Sequence, residues 1–119
     1  MLRVNEPAKS LGLKPIVPVE TWIGLVHEGR KRFDHDAKLY IRPMYWPEDA
    51  ASRPDPETTR WCLSLYVSPL PKPMGTAITL SPFRRPTPES APAEAKAGCL
   101  YPNNARGMTE ARGAVSTAA

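Results

Sequence analysis

Proline placement constrains this chain more than any other feature. There are 15 prolines among 119 residues, against an average usage of about 5%. Each removes a backbone donor and pushes the preceding residue out of the helical region. The run Ser68-Pro69-Leu70-Pro71-Lys72-Pro73 can therefore form neither a helix nor a central strand, and it reads as a linker. It divides the chain into a segment 1–68, a Pro-rich connection 69–75 and a segment 76–119. The length is near the modal size of one domain and too small for two full domains with a cleft between them.

Between the prolines the periodicities name the elements. Glu6 to Leu11 reads as a short helical turn closed by Gly12, which can take the left-handed conformation. Val19, Trp22, Ile23, Val26, Arg30 and Phe33 recur at three- and four-residue spacing, predicting a helix over 18–33 with Pro18 in its first turn. Lys38 to Tyr45 alternates as a strand, with Leu39 and Ile41 on one face and Tyr40 and Arg42 on the other. Pro43 restricts the far end of that strand to an edge or a bulge. Residues 47–59 read as a polar loop, Trp61 to Val67 as a second strand and Thr76 to Leu80 as a short third one. Asn103 or Asn104 is placed to cap a final helix starting near Ala105. The tail 113–119 is small and uncharged, with nothing to anchor it. The fold class expected is mixed α/β (α+β).

Composition removes several functions. The net charge of +4 is spread among acidic residues, and no nucleic-acid-binding motif accompanies the local basic clusters, so nucleic acid is not an expected partner. Cys62 and Cys99 lack metal-ligand spacing, and His27 and His35 have no partner spacing, so no metal is expected. No window approaches a membrane span and the first residues lack a signal-peptide core. A cytoplasmic protein is the expectation.

Chemistry enters with two sequence runs. Thr79-Leu80-Ser81-Pro82-Phe83-Arg84-Arg85-Pro86-Thr87, followed by Ala95-Lys96-Ala97-Gly98-Cys99-Leu100-Tyr101-Pro102-Asn103-Asn104, closely resembles the class IV (fold type IV) pyridoxal-phosphate-dependent aminotransferases related to branched-chain amino acid aminotransferase. Upstream, Leu39-Tyr40-Ile41-Arg42-Pro43-Met44-Tyr45-Trp46 resembles the substrate-side strand of the same family. The likeness covers about Gly12 to Arg112. It implies a partial small, substrate-side domain followed by the start of a large domain that carries the cofactor lysine.

By that resemblance Lys96 holds pyridoxal 5'-phosphate through a Schiff base and shuttles a proton at the substrate α-carbon, which requires a primary amine. Read without the motif, it is a solvated surface lysine. Tyr101 matches the tyrosine that bonds the phenolic oxygen of the cofactor, and its plain alternative is a half-buried core tyrosine. Tyr40, Arg42 and Tyr66 match substrate-side positions, where a guanidinium can hold a carboxylate by two parallel bonds. The implied reaction moves an amino group between Leu, Ile or Val and 2-oxoglutarate, in a family whose complete members form homodimers. D-amino acid transamination or aminodeoxychorismate lyase chemistry are the related alternatives.

The family's phosphate-gripping arginine and the acidic partner of its pyridine nitrogen have no counterpart in the sequence. The expectation is thus a chain truncated at both ends, with little activity alone, or a non-catalytic remnant that associates with a full-length homologue.

Overall fold

The computed structural model describes residues 3–75 and 78–117, except the side chains of 114–117. Its chain divides into two compact units, Met1–Lys72 and Pro73–Ala119. The mixed α/β class is what the structure shows, with helices and a two-stranded antiparallel sheet among the described residues.

In the first unit, α1 spans Asn5–Ser10. Its end follows from Gly12, whose φ of 71° lies in the left-handed region. The amide of Gly12 donates to the carbonyl of Lys9 at 3.0 Å and that of Leu13 to Ala8 at 2.9 Å, the paired bonds of a Schellman motif. Ala8 and Leu13 are both buried beside it.

Helix α2 spans Val19–Arg30, shorter than the expected 18–33. Pro18 stands just before it with ψ of 152°, outside the helix, while its carbonyl accepts from Trp22 at 3.1 Å. At the other end the amides of Lys31, Arg32 and Phe33 each bond three residues back. That tighter spacing ends the α-helix and satisfies its last carbonyls. The Arg30 guanidinium adds bonds to the carbonyls of Phe33 and His35.

Strands β1 (Leu39–Pro47) and β2 (Thr59–Val67) pair without a bulge over nine residues, from Leu39↔Val67 to Pro47↔Thr59. Both are longer than expected. β1 runs through Pro43, opposite Leu63, which is tolerated because each member of a two-stranded ribbon is an edge. The loop between them is partly ordered by a 3₁₀ turn at Pro56–Thr58, which Asp55 caps by accepting from the Glu57 amide at 3.0 Å.

The core of this unit is centred on Trp22, which is 0% exposed. Its ring meets Tyr45 edge-on at 5.7 Å and Trp61 edge-on at 5.1 Å, both favoured aromatic geometries. Trp61 itself stays partly exposed, so of these rings only Trp22 is fully enclosed. Gly29 lets α2 approach the ribbon, since a Cβ there would stand 3.0 Å from Leu65 Cδ2. The Tyr45 hydroxyl accepts from the amide of Val17 at 3.0 Å and lies 3.2 Å from Asn5 Oδ1. The buried Thr59 hydroxyl accepts from the Lys14 amide at 3.0 Å. These bonds tie the first helix and its loop to the sheet.

In the second unit, the expected strand over 76–80 is not found at Ile78–Leu80, which have no regular structure, while Thr76 and Ala77 lie outside the described residues. Ile78 and Leu80 are 92% and 95% exposed, and a strand without a partner has no ladder to hold it. Helix α3 spans Tyr101–Thr117, beginning four residues before Ala105 and running through most of the tail expected to be loose. A 3₁₀ turn at Gly98–Leu100 leads into it, and Pro102 occupies the first turn, where no amide is required. Asn103 consequently lies inside the helix and does not cap it; its amide donates to the carbonyl of Arg84 at 2.5 Å. Asn104 is likewise within the first turn.

Replacing Trp22 by Ala is expected to destabilise the first unit by about 3–5 kcal/mol, read as a large drop in the midpoint of thermal unfolding by circular dichroism. A loss below about 1 kcal/mol would show that the aromatic cluster is not the core. Gly12→Ala should cost about 1 kcal/mol or more from backbone strain at positive φ, measured by urea denaturation.

Candidate functional site

The residues singled out for chemistry fall in both units. In the first, the register decides what shares a face. Side chains alternate along a strand, and Trp22 packs on Tyr45 and Trp61 while Gly29 meets Leu65. Tyr45, Trp61, Leu63 and Leu65 are thereby on the α2 side. Tyr40, Arg42, Met44 and Trp46 of β1, with Arg60, Cys62, Ser64 and Tyr66 of β2, are on the opposite side.

The three expected substrate-side residues are thus brought together on one face. Tyr40 pairs with Tyr66, and their rings stack at 5.2 Å with an interplanar angle of 22°. They remain 46% and 44% exposed. Arg42 is exposed on the adjacent rung, opposite Ser64. No hydrogen bond or ion pair engages its guanidinium among the described residues. Arg60, further along the same face, is in contrast paired with Glu48.

Nothing in the sequence marks Ser64, because a lone serine in a strand carries no signal. Only the pairing register places it across from Arg42. The α2 side has its own open groove of about 610 Å³ lined by Leu25, Gly29, Phe33, Trp61, Leu63 and Leu65 among others, and it contains none of the expected site residues.

In the second unit, Lys96 is exposed between Ala95 and Ala97, each 5% exposed. The Ala95 amide donates to the carbonyl of Pro92 at 2.9 Å, and the Leu100 amide to that of Ala97 at 3.2 Å. Ala97 has an extended backbone with φ of −114° and ψ of 145°. The chain is therefore fixed on both sides of the lysine while the side chain projects outward. No partner engages its amine among the described residues. Tyr101 is 50% exposed at the start of α3. A Cβ at Gly98 would meet no atom within 4 Å, so the turn beside the lysine is open on that side.

The loop before Lys96 is held by side-chain contacts. Arg106 of α3 lies over the Phe83 ring at 4.2 Å from its centroid, a cation–π contact. The Arg85 guanidinium donates to the carbonyl of Ala93, and the Ser81 hydroxyl accepts from the Phe83 amide at 3.2 Å. At Glu89, a hydrogen bond with the Thr87 side chain, helped by the backbone amide of Glu89, holds the carboxyl below its ordinary range. Among the described residues no cluster of His, Cys, Asp and Glu could hold a metal ion. Nor is any described helix long and apolar enough to cross a membrane.

The stacked tyrosines give a direct check on the face assignment. A double-mutant cycle on Tyr40→Ala and Tyr66→Ala should return a coupling of about 0.5–1.5 kcal/mol in unfolding experiments. A coupling of zero would mean that the rings are not in contact in solution.

No family model matches the chain, and no curated protein matches it. Among solved structures, the crystal structure of an aminotransferase from Brucella abortus bound to the cofactor PLP superposes with a TM-score of 0.89 at 43% sequence identity. The alignment takes in 93% of this chain and 41% of that one. The chain is therefore similar in sequence and fold to less than half of a PLP-bound aminotransferase.

Proposed function

We propose that this chain is the lysine-bearing part of a pyridoxal-phosphate-dependent aminotransferase of the branched-chain, fold-type IV kind. The observation that carries the reading is Lys96, an exposed and unpartnered amine between two buried alanines. The likeness to the Brucella abortus aminotransferase supports it.

The residues present fit the aldehyde side of the cofactor. Lys96 supplies the primary amine that would hold it, Tyr101 a phenol five residues on, and Gly98 leaves space beside them. When bound, pyridoxal phosphate supplies an electron sink for charge left at the substrate α-carbon. The work of this chain is to hold and move a proton at that carbon with the Lys96 amine. In the first unit, taken by itself, Arg42 is the residue offered to a substrate carboxylate, by two parallel N–H bonds, with the Tyr40–Tyr66 pair as apolar surface on the same face.

On this reading the substrates are an amino acid such as Leu, Ile or Val and 2-oxoglutarate, and the complete enzyme is a homodimer. D-amino acid transamination and aminodeoxychorismate lyase chemistry are separated from it by the substrate panel of the complete protein. A second reading, association with a longer homologue without catalysis, is favoured by the nearly full exposure of Ile78 and Leu80.

Borohydride reduction of the purified chain with pyridoxal phosphate, followed by peptide mapping, tests the assignment. Modification should fall on Lys96 alone and vanish in Lys96→Ala. Even modification across Lys9, Lys14, Lys31, Lys38, Lys72 and Lys96 would overturn it.

A further inference from the structure

The ribbon places one more polar group beside Arg42. Ser64 is its direct cross-strand partner, so the two side chains leave the sheet on the same face with Cβ atoms about 5 Å apart. Ser64 is half-buried, and its hydroxyl has no hydrogen-bond partner among the described residues. The rungs on either side are larger: Tyr40 with Tyr66, and Met44 with Cys62. The Ser64 hydroxyl and the Arg42 guanidinium thus share one rung of the ribbon between these two. Of the two guanidiniums on this face, that of Arg60 is neutralised by Glu48 and that of Arg42 is not.

We propose that Ser64 is a substrate-binding residue, donating its hydroxyl hydrogen to the same carboxylate that Arg42 grips. This rests on reading Arg42 as the substrate-side cation and adds the third donor to that carboxylate. A carboxylate oxygen has more than one acceptor direction, so two N–H bonds from Arg42 leave room for an O–H bond from the side. The stacked tyrosines then lie next to whatever apolar group the acid carries.

The experiment uses the intact chain and 4-methylpentanoate, a carboxylate with a branched apolar tail, with its neutral amide as control. Binding is followed by NMR at the Arg42 Nε–H and the Ser64 amide. The acid should shift both signals and the amide neither. Ser64→Ala should weaken binding about tenfold, the size of one hydrogen bond to a charged group. Ser64→Thr, which keeps the hydroxyl and suits a strand, should restore most of the affinity.

Equal affinity in wild type and Ser64→Ala overturns the proposal, as does a wild-type chain that gives no shift with the acid. Should Ser64→Ala fail to fold, the Ser64→Thr variant and the acid-against-amide comparison still decide. Borohydride labelling of Lys96 does not depend on Ser64, so failure here with labelling intact removes the serine and leaves the lysine assignment standing.

Discussion

The packing of Trp22 against Tyr45 and Trp61 decides what the first unit can present to its surroundings. A strand has only two faces, and a one-residue slip exchanges them. Packing one aromatic residue from each strand against Trp22 of α2 fixes both strands at once. Tyr40, Arg42, Ser64 and Tyr66 are then committed to the other side. The positions with chemical interest are set by contacts that none of them makes. Gly29 contributes by letting the helix lie close to Leu65.

The second unit uses different physics. Among its described residues there is one long helix and no strand, so its loop is held by side-chain contacts. Arg106 lies over Phe83, Asn103 reaches the Arg84 carbonyl, and Arg85 reaches that of Ala93. Each is modest in water, because exposed polar contacts exchange with solvent. Their combined effect is to fix the backbone on both sides of Lys96, with the small buried side chains of Ala95 and Ala97 as anchors. An amine on a fixed backbone reaches a bound aldehyde at lower entropic cost than one on a free loop.

Much of this was legible in the sequence where a local rule operates alone. Gly12 ended a helix, the period-two pattern separated Tyr40 and Arg42 from Leu39 and Ile41, and the aromatic spacing in α2 pointed to Trp22. The Lys96 motif was visible as a resemblance, which periodicity could not supply. The misses arose where tertiary context competes with a local signal. Both strands run longer than their local pattern indicates, because pairing across the ribbon extends each to nine residues. Ile78 to Leu80 has the composition of a strand but no neighbouring strand among the described residues. Asn103 carries a capping preference, but the 3₁₀ turn at Gly98–Leu100 starts the helix before reaching it. Ser64 was invisible because its interest depends on a cross-strand register, a non-local quantity.

The prolines of β1 have a further consequence. A two-stranded ribbon offers two open edges, and an open edge is where a foreign strand can add and begin an ordered aggregate. Pro43 and Pro47 cannot donate to such a newcomer, and Arg42 between the aromatic residues brings repulsion between stacked copies. The same strand that displays Tyr40 and Arg42 is in this way a poor template for uncontrolled assembly.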